Sequence, residues 1–124
     1  MTLDSRLATV VEAARSKKAF RIRLLDVRDI ASFTDTFAFM SGGSDRQNRA
    51  IAEAVEDALK LTGERPISRE GEANGNWVLL DYGNLVVHVM DEETRRHYNI
   101  EGFWSAGRDL ELPAETHPAQ EARP

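Results

Sequence analysis

Gly42, Gly43 and Ser44 form a turn whose residue types could bind phosphate. They lie in the stretch FMSGGSDRQNRAIAEAVEDALK, residues 39–60, after an apolar run and before a helical pattern. Backbone amides at such a turn often bind phosphate groups. A P-loop also needs a lysine directly after its last glycine, and a dinucleotide-binding turn needs three spaced glycines. The sequence has neither pattern, so both of these phosphate sites are excluded.

Nucleotidyltransferases use a Gly-Ser turn after a strand, and this turn resembles theirs. Such enzymes hold magnesium with a pair of carboxylates on the next strand, whereas here Asp81 is the only acid on the later strand. The simpler interpretation is a strand-to-helix turn in which the glycines allow positive φ, and Ser44 and Gln47 form a capping box. We favour this structural role. A nucleotide-binding or nucleotidyltransferase-type enzyme that uses Gly42, Gly43 and Ser44 is the alternative.

The histidines and the absence of cysteine indicate neither a metal site nor a nucleophile. His88, His97 and His117 are not at a zinc-binding spacing, and there is no Gly-x-Ser-x-Gly elbow. Asp81 and His88 could pair across a hairpin, as a proton relay or, more often in such cases, as a cross-strand hydrogen bond. We therefore predict no catalytic residue, no cofactor and no metal.

Aromatic residues beside acids indicate a binding surface instead. Trp77 begins one strand pattern, Tyr82 lies at its turn, and Tyr98 and Trp104 flank Glu101. Tyrosine and tryptophan next to acids are typical anchors of an interface with a basic protein. Each tryptophan taken alone is slightly better explained as a core residue, but the whole group favours an interface.

A mixed sheet with helices packed on it must position these residues. Runs rich in β-branched and aromatic residues predict strands over residues 19–27, 36–42, 76–82 and 85–90. Residues 66–75 are predicted to form a short edge strand followed by a Gly/Asn-rich turn. Apolar residues at helical spacing predict helices over residues 3–18, 44–62 and 91–104. The last helix is either continuous or broken near Asn99. The order predicts an α/β (α+β) fold with a sheet of about five strands.

The composition indicates one soluble domain, whose mild acidity is explained most simply by solubility. The chain has 124 residues and a net charge of −5, no cysteine, no apolar run long enough to span a membrane and no secretory signal pattern. We expect a cytoplasmic protein that does not grip nucleic acid directly, because phosphate binding needs basic charge. It could still dock on a basic protein of a nucleoprotein particle. Residues 1–104 are predicted to form the domain, and residues 105–124 a disordered acidic tail.

Several motifs together resemble the ribosomal silencing factor family, RsfS, also called the Iojap family. The match covers about residues 7–104 in unbroken order. It consists of D-x-F-x-F-x-S-G-x-S-D-R-Q from Asp35, A-I-A-x-A-V from Ala50, E-G at Glu70, W-V-L-L-D-Y-G from Trp77, V-V-H-V from Val86 and R-x-Y-N-I-E-x-x-W from Arg96. The block that begins at Trp77 is highly specific.

The resemblance implies a fold related to nucleotidyltransferases but without catalytic carboxylates or enzymatic activity. It also implies binding to the fourteenth large-subunit ribosomal protein, which blocks joining of the small subunit and lowers translation when nutrients are scarce, and a homodimer in the free state. Carried onto this chain, the predicted partner-binding residues are Trp77, Asp81, Tyr82, Tyr98, Glu101 and Trp104. The role of His88, which matches a family histidine, stays open. The sequence departs from the family pattern at Asn84, Met90, Gly102 and Phe103, and the last two affect the contact expected around Glu101.

Overall fold

The computed structural model of the chain describes residues 5–114, which form one mixed sheet and four helices. The helices are α1 (Ser5–Ser16), α2 (Asp45–Leu61), α3 (Glu92–Tyr98) and α4 (Ile100–Phe103). The strands are β1 (Phe20–Asp26), β2 (Thr36–Ser41), β3 (Ser68–Glu70), β4 (Trp77–Asp81), β5 (Leu85–Met90) and β6 (Arg108–Leu110). The predicted fold class is confirmed, with six strands in place of about five. Within residues 5–114, no helix is both long and apolar enough to cross a membrane.

The strand order β3-β4-β5-β2-β1-β6 places the fully buried strands β5 and β2 at the centre. These two strands are parallel, and each of the other neighbouring pairs is antiparallel. The nearly all-apolar sequence of β5 predicted its central position in the sheet, because a strand that is buried on both faces has no polar face. Because β2 and β5 are parallel, they end at the same edge of the sheet, where Ser41 pairs with Met90.

One face of the sheet, here called the helix face, is covered by α1 and α2. Their apolar stripes pack on alternate residues of the central strands, such as Ala38, Met40 and Val87. The α2 stripe includes a polar residue, Asn48, which is fully buried and donates from Nδ2 to the carbonyl of Gly75 at 2.8 Å. This bond ties α2 to the loop before β4.

The turn into α2 differs from the prediction in two details. Ser44 accepts from the amide of Gln47 at 3.0 Å as expected, but Gln47 Oε1 accepts from the amide of Gly43 at 2.7 Å and not from that of Ser44. In addition, neither Gly42 nor Gly43 has the positive φ that was predicted for them. Gly42 is required for a different reason, since a Cβ there would lie 2.5 Å from Asn48 Oδ1.

The opposite face of the sheet, here called the open face, has its own apolar cluster. Leu25, Phe37, Phe39 and Met90 are buried there, and partly buried residues that include Ile100 and Trp104 pack against them. The predicted last helix is broken at Asn99, whose backbone is left-handed (φ 47°) and whose side chain caps α4. The break turns the chain so that Ile100 and Trp104 pack on the open face.

The predicted domain boundary at Trp104 comes too early. Strand β6 pairs antiparallel with the end of β1, and Leu110 packs against the core of the helix face. Sequence periodicity missed it because a three-residue strand carries too short a pattern, and its partner strand is far away in the chain. The rest of the predicted acidic tail, residues 115–124, lies outside the described residues, as do Leu3 and His117.

Candidate functional site

The predicted partner-binding residues lie on both faces of the sheet. Successive side chains of a strand alternate between faces, so Trp77 and Asp81 of β4 lie on the open face while Tyr82 turns to the helix face. Tyr82 is only 8% exposed and packs in the core of the helix face. The structure therefore separates Tyr82 from the group in which the sequence placed it.

Tyr98 and Trp104 join Trp77 on the open face. The Tyr98 ring lies 5.0 Å from the Trp77 ring, between centroids, and remains 55% exposed. Trp104 packs on the buried ring of Phe37 at 5.5 Å. The left-handed turn at Asn99 makes this arrangement, because it ends α3 directly after Tyr98 and starts α4 towards Trp104. Three of the predicted aromatic anchors are thus brought to one surface.

Two exposed phenylalanines that the sequence analysis missed extend this surface. Phe33 is 60% exposed and contacts Trp104 at 5.8 Å, edge to face. Phe103 is 78% exposed and packs at a right angle on the same indole. Phe33 lies in the connector of residues 28–35, whose few apolar residues follow no helical or strand period, so the sequence carried no signal for it. Leu79, which is half-buried and packs against the same cluster, completes the surface. We call these six residues the aromatic face: Phe33, Trp77, Leu79, Tyr98, Phe103 and Trp104.

Glu101 lies beside the aromatic face, but its carboxylate is already bound by two arginines of the same chain. Its carboxylate accepts from Arg95 at 2.5 and 3.1 Å and from Arg23 at 3.3 Å. Burial raises the pKa of Glu101, but the hydrogen bonds and charges of Arg95 and Arg23 outweigh burial and lower that pKa below its usual value. Arg95 is itself only 5% exposed, so this ion pair fixes α3 and α4 on the sheet.

Asp81 and His88 do not form the predicted cross-hairpin pair. Asp81 pairs with Val86 in the ladder, and its Oδ1 accepts from the amide of Gly83 at 2.8 Å. His88 pairs with Leu79, and its Nδ1 accepts from the indole N–H of Trp77 at 3.1 Å. The prediction failed because the hairpin register places the two residues at positions that are not opposite each other.

His88 forms a buried support beneath the aromatic face. Its ring stacks on Phe39 with centroids 5.0 Å apart, and burial lowers the pKa of His88 to about 4. The imidazole is therefore neutral at neutral pH. Its Nε2 is buried without a hydrogen-bond partner among residues 5–114. The histidine fixes the rotation of the Trp77 ring by accepting the indole N–H.

The side chains of this site are those of a contact surface. Within residues 5–114, no group of three or more histidine or acidic side chains could hold a metal ion. The site instead presents exposed aromatic rings, held from below by His88 and from the side by the Arg95–Glu101 pair. Contiguous exposed apolar groups on a soluble domain usually mark a surface for a partner.

Comparisons with known proteins agree with this architecture. A family profile described as "Ribosomal silencing factor during starvation" matches residues 1–124. The ribosomal silencing factor RsfS of Bacillus subtilis is 36% identical over 104 residues, covering 84% of this chain and 88% of that protein. The crystal structure of protein CV0518 from Chromobacterium violaceum superimposes with a TM-score of 0.80 at 32% identity, covering 94% of this chain and 97% of that one.

A more distant relative carries the same domain within a longer protein. The mouse protein named "Mitochondrial assembly of ribosomal large subunit protein 1" is 29% identical over 99 residues, which cover 77% of this chain and 43% of that protein. The profile match spans the whole sequence, and the bacterial relatives align over most of their length. The chain therefore belongs to the RsfS family of ribosomal silencing factors.

Proposed function

We propose that this protein is a non-enzymatic translational repressor that docks on the large ribosomal subunit through its aromatic face. The observation that carries the proposal is the exposure of Phe33, Tyr98 and Phe103 around the half-buried indoles of Trp77 and Trp104. Aromatic side chains with rigid support are the usual energetic centres of protein interfaces. The description of the family and the name of the mouse relative support a ribosomal target.

The partner that we propose is the fourteenth ribosomal protein of the large subunit, as the family resemblance implies. The net charge of −5 favours docking on a basic protein. Asp81 lies on the open face, and its Oδ2 makes no hydrogen bond with residues 5–114, so it can accept from a lysine or arginine of the partner. Glu101 contributes less by direct contact, because Arg95 and Arg23 already occupy it.

The mechanism that we propose is steric. A protein bound where the large subunit meets the small one blocks their joining, and translation falls when nutrients are limiting. No substrate is converted, and the protein acts in the cytoplasm. In the free state we propose a homodimer. The alternative of a nucleotide-binding enzyme is weaker, because the Gly43 amide at the candidate turn already donates to Gln47.

Sedimentation with isolated ribosomal subunits tests the docking proposal. We expect the protein to sediment with large subunits and not with joined ribosomes. The double variant Phe33→Ser, Phe103→Ser should bind large subunits at least about tenfold more weakly, since it removes two exposed rings that desolvate on docking. Its stability should change little, because both rings are largely exposed in the free chain.

Leu61→Ser is the matched control, because Leu61 is also an exposed apolar residue but lies at the end of α2, outside the aromatic face. It should bind and block subunit joining like the unmodified protein. Equal binding by the phenylalanine variant and the control would show that the aromatic face is not the docking surface. If the protein binds large subunits but does not bind the isolated fourteenth ribosomal protein, the aromatic face can still be the docking surface, but the proposed partner is wrong.

A further inference from the structure

A second candidate site lies beside the aromatic face, in a cleft between β1 and the α3–α4 segment. The cleft has a volume of about 580 Å³, which is within the range of small-molecule sites. Its charged lining consists of four arginines and two glutamates: Arg21, Arg23, Arg95, Arg96, Glu92 and Glu101. Such a concentration of arginine is unexpected in a chain whose net charge is −5.

The arginines of the cleft exceed its carboxylates. Glu92 pairs with Arg21, and Glu101 pairs with Arg95 and Arg23. Asp109, which is not part of the lining, also binds Arg23 at 2.6 Å. Even with Asp109 counted, one guanidinium charge has no carboxylate to balance it. The surplus charge makes the cleft attractive to an anion.

The unused donors are on Arg96 and Arg21. Arg96 is exposed and makes no hydrogen bond or ion pair with any of residues 5–114. Arg21 donates to Glu92 through Nη1 at 2.9 Å, which leaves its Nη2 and Nε groups unengaged. A planar guanidinium binds phosphate oxygens in pairs, so two such groups can hold one or two phosphates.

The floor of the cleft is preorganised. Arg95 is held by Glu101 and also donates to Ser41 Oγ at 2.9 Å, so its charge cannot swing away into solvent. Arg21 lies where the β1–β2 register shifts, at an irregularity that commonly re-aims side chains near sites. Fixed charges cost little reorganisation when a ligand binds.

The position of the cleft in the fold also favours a ligand. Ser41, which Arg95 contacts, is the last residue of β2, and it pairs with Met90 at the end of the parallel strand β5. In sheets with parallel strands, ligands bind beyond the carboxyl ends of those strands. The arginines therefore lie at the edge of the sheet where this architecture most often places a ligand.

We propose that this cleft binds a phosphate-bearing anion through Arg21 and Arg96, above the fixed guanidinium of Arg95. Its volume accommodates a group larger than a single phosphate. The phosphates can belong to a free compound or to an RNA backbone, since both present the same oxygens to the guanidinium groups. This site is separate from the aromatic face and from the turn at Gly43.

NMR titration of the ¹⁵N-labelled full chain tests the proposal, with the arginine Nε–H signals as the readout. One arm uses pyrophosphate and the other a single-stranded RNA oligonucleotide, both at constant ionic strength. We expect saturable shifts of the Arg21 and Arg96 signals in at least one arm. Arg96→Glu should weaken that binding at least about tenfold, because it replaces an attraction with a repulsion.

Arg65→Glu is the control, since it reverses an exposed arginine that lines a different, acidic cleft near Glu64. Arg65→Glu should bind the anion like the unmodified protein. If the change in net charge alone weakened binding, both variants would lose affinity. Saturation by pyrophosphate alone identifies a free phosphate compound, and tighter binding of RNA at the same residues identifies a nucleic-acid phosphate. Absence of saturation in both arms, or equal binding by Arg96→Glu and Arg65→Glu, would overturn the proposal. No ribosome is present, so the result is independent of the docking proposal.

Discussion

Trp77 and His88 are joined by a hydrogen bond across β4 and β5, in which the indole N–H donates to Nδ1 of the imidazole at 3.1 Å. The bond requires Nδ1 to be unprotonated, so the proton of the neutral ring is on Nε2. It connects an aromatic residue of the aromatic face to a buried histidine whose charge depends on pH. The stability of the fold and the geometry of the surface are therefore linked at this pair.

The first prediction concerns pH. Burial lowers the pKa of His88 to about 4, whereas an unfolded histidine titrates near 6.5. Between these values the unfolded chain binds the extra proton, so stability falls as the pH drops from about 6.5 to about 4. The loss is of the order of 3 kcal/mol at most. The nearby charges partly offset each other, since Glu101 raises this pKa and Arg95 lowers it.

Urea unfolding across this pH range measures the effect. His88→Asn keeps an acceptor for the indole but cannot be protonated, so its stability should change less with pH than that of the unmodified chain. His97→Asn, at an exposed histidine of α3, is the matched control and should keep the full slope. The prediction fails if His88→Asn and the unmodified chain lose stability equally between pH 6.5 and 4.

The second prediction distinguishes a core role of Tyr82 from a contact role. Its hydroxyl is buried without a hydrogen-bond partner among residues 5–114, and burial raises the pKa of Tyr82 to about 12. Tyr82→Phe should therefore be neutral or stabilise the fold by up to about 1 kcal/mol, since it removes an unpaired polar atom. Tyr82→Ala should cost about 3 kcal/mol or more, because it leaves a cavity.

Thermal unfolding and sedimentation with large subunits together test this assignment. Tyr82→Phe should bind large subunits as well as the unmodified protein does. If it folds normally but loses that binding, the hydroxyl contacts the partner and the assignment to the core is wrong.

The face on which each strand residue lies could have been read from the sequence. Trp77 and Tyr82 are five positions apart, and an odd separation in one strand places two side chains on opposite faces. Grouping by aromatic type alone placed Tyr82 with Trp77, although alternation along the strand puts them on opposite faces. The main helices and strands could be predicted from the sequence because their hydrophobic periodicity is contained in consecutive residues.

Other parts of the site depend on contacts between distant residues. Phe33 becomes part of the surface only because it packs on Trp104. Glu101 was predicted to pair with a partner, but its carboxylate is taken by Arg23 and Arg95, which come from β1 and α3. No local pattern predicts which guanidinium reaches a given carboxylate.

The third prediction concerns the Arg95–Glu101 pair. Arg95→Met should cost about 3 kcal/mol, because it leaves the partly buried carboxylate of Glu101 with only the longer contact to Arg23. Adding Glu101→Leu should cost less than the sum of the two single changes, since no buried charge then remains. Urea unfolding of the two single variants and the double variant measures the coupling.

Arg69→Met provides the comparison, because Arg69 pairs with Glu56 at 3.2 Å but is about half exposed. Its loss should cost clearly less than the loss of Arg95, because water screens the charges of an exposed pair. Equal costs at Arg95 and Arg69 would show that burial does not strengthen the Arg95 pair, and that this pair does not hold α3 and α4 in place.

The last prediction uses two glycines to measure how firmly Trp77 is positioned. Gly71 has φ +85°, and a Cβ there would lie 1.8 Å from the carbonyl oxygen of Trp77. Gly63 has a similar φ of +92° but nothing within 4 Å of a Cβ. Both alanine variants carry the strain of a left-handed backbone, about 1–2 kcal/mol, but only Gly71→Ala must also displace the start of β4.

Gly71→Ala should therefore destabilise the fold more than Gly63→Ala, and it should also change the environment of the Trp77 indole. Fluorescence of the folded state reports that change when Trp104→Phe is present in every variant, because Trp77 is then the one remaining tryptophan. The displacement should also weaken binding to large subunits, since Trp77 belongs to the aromatic face. If both variants lose the same stability and leave the emission unchanged, the turn between β3 and β4 absorbs the clash and Gly71 has no role in positioning the surface.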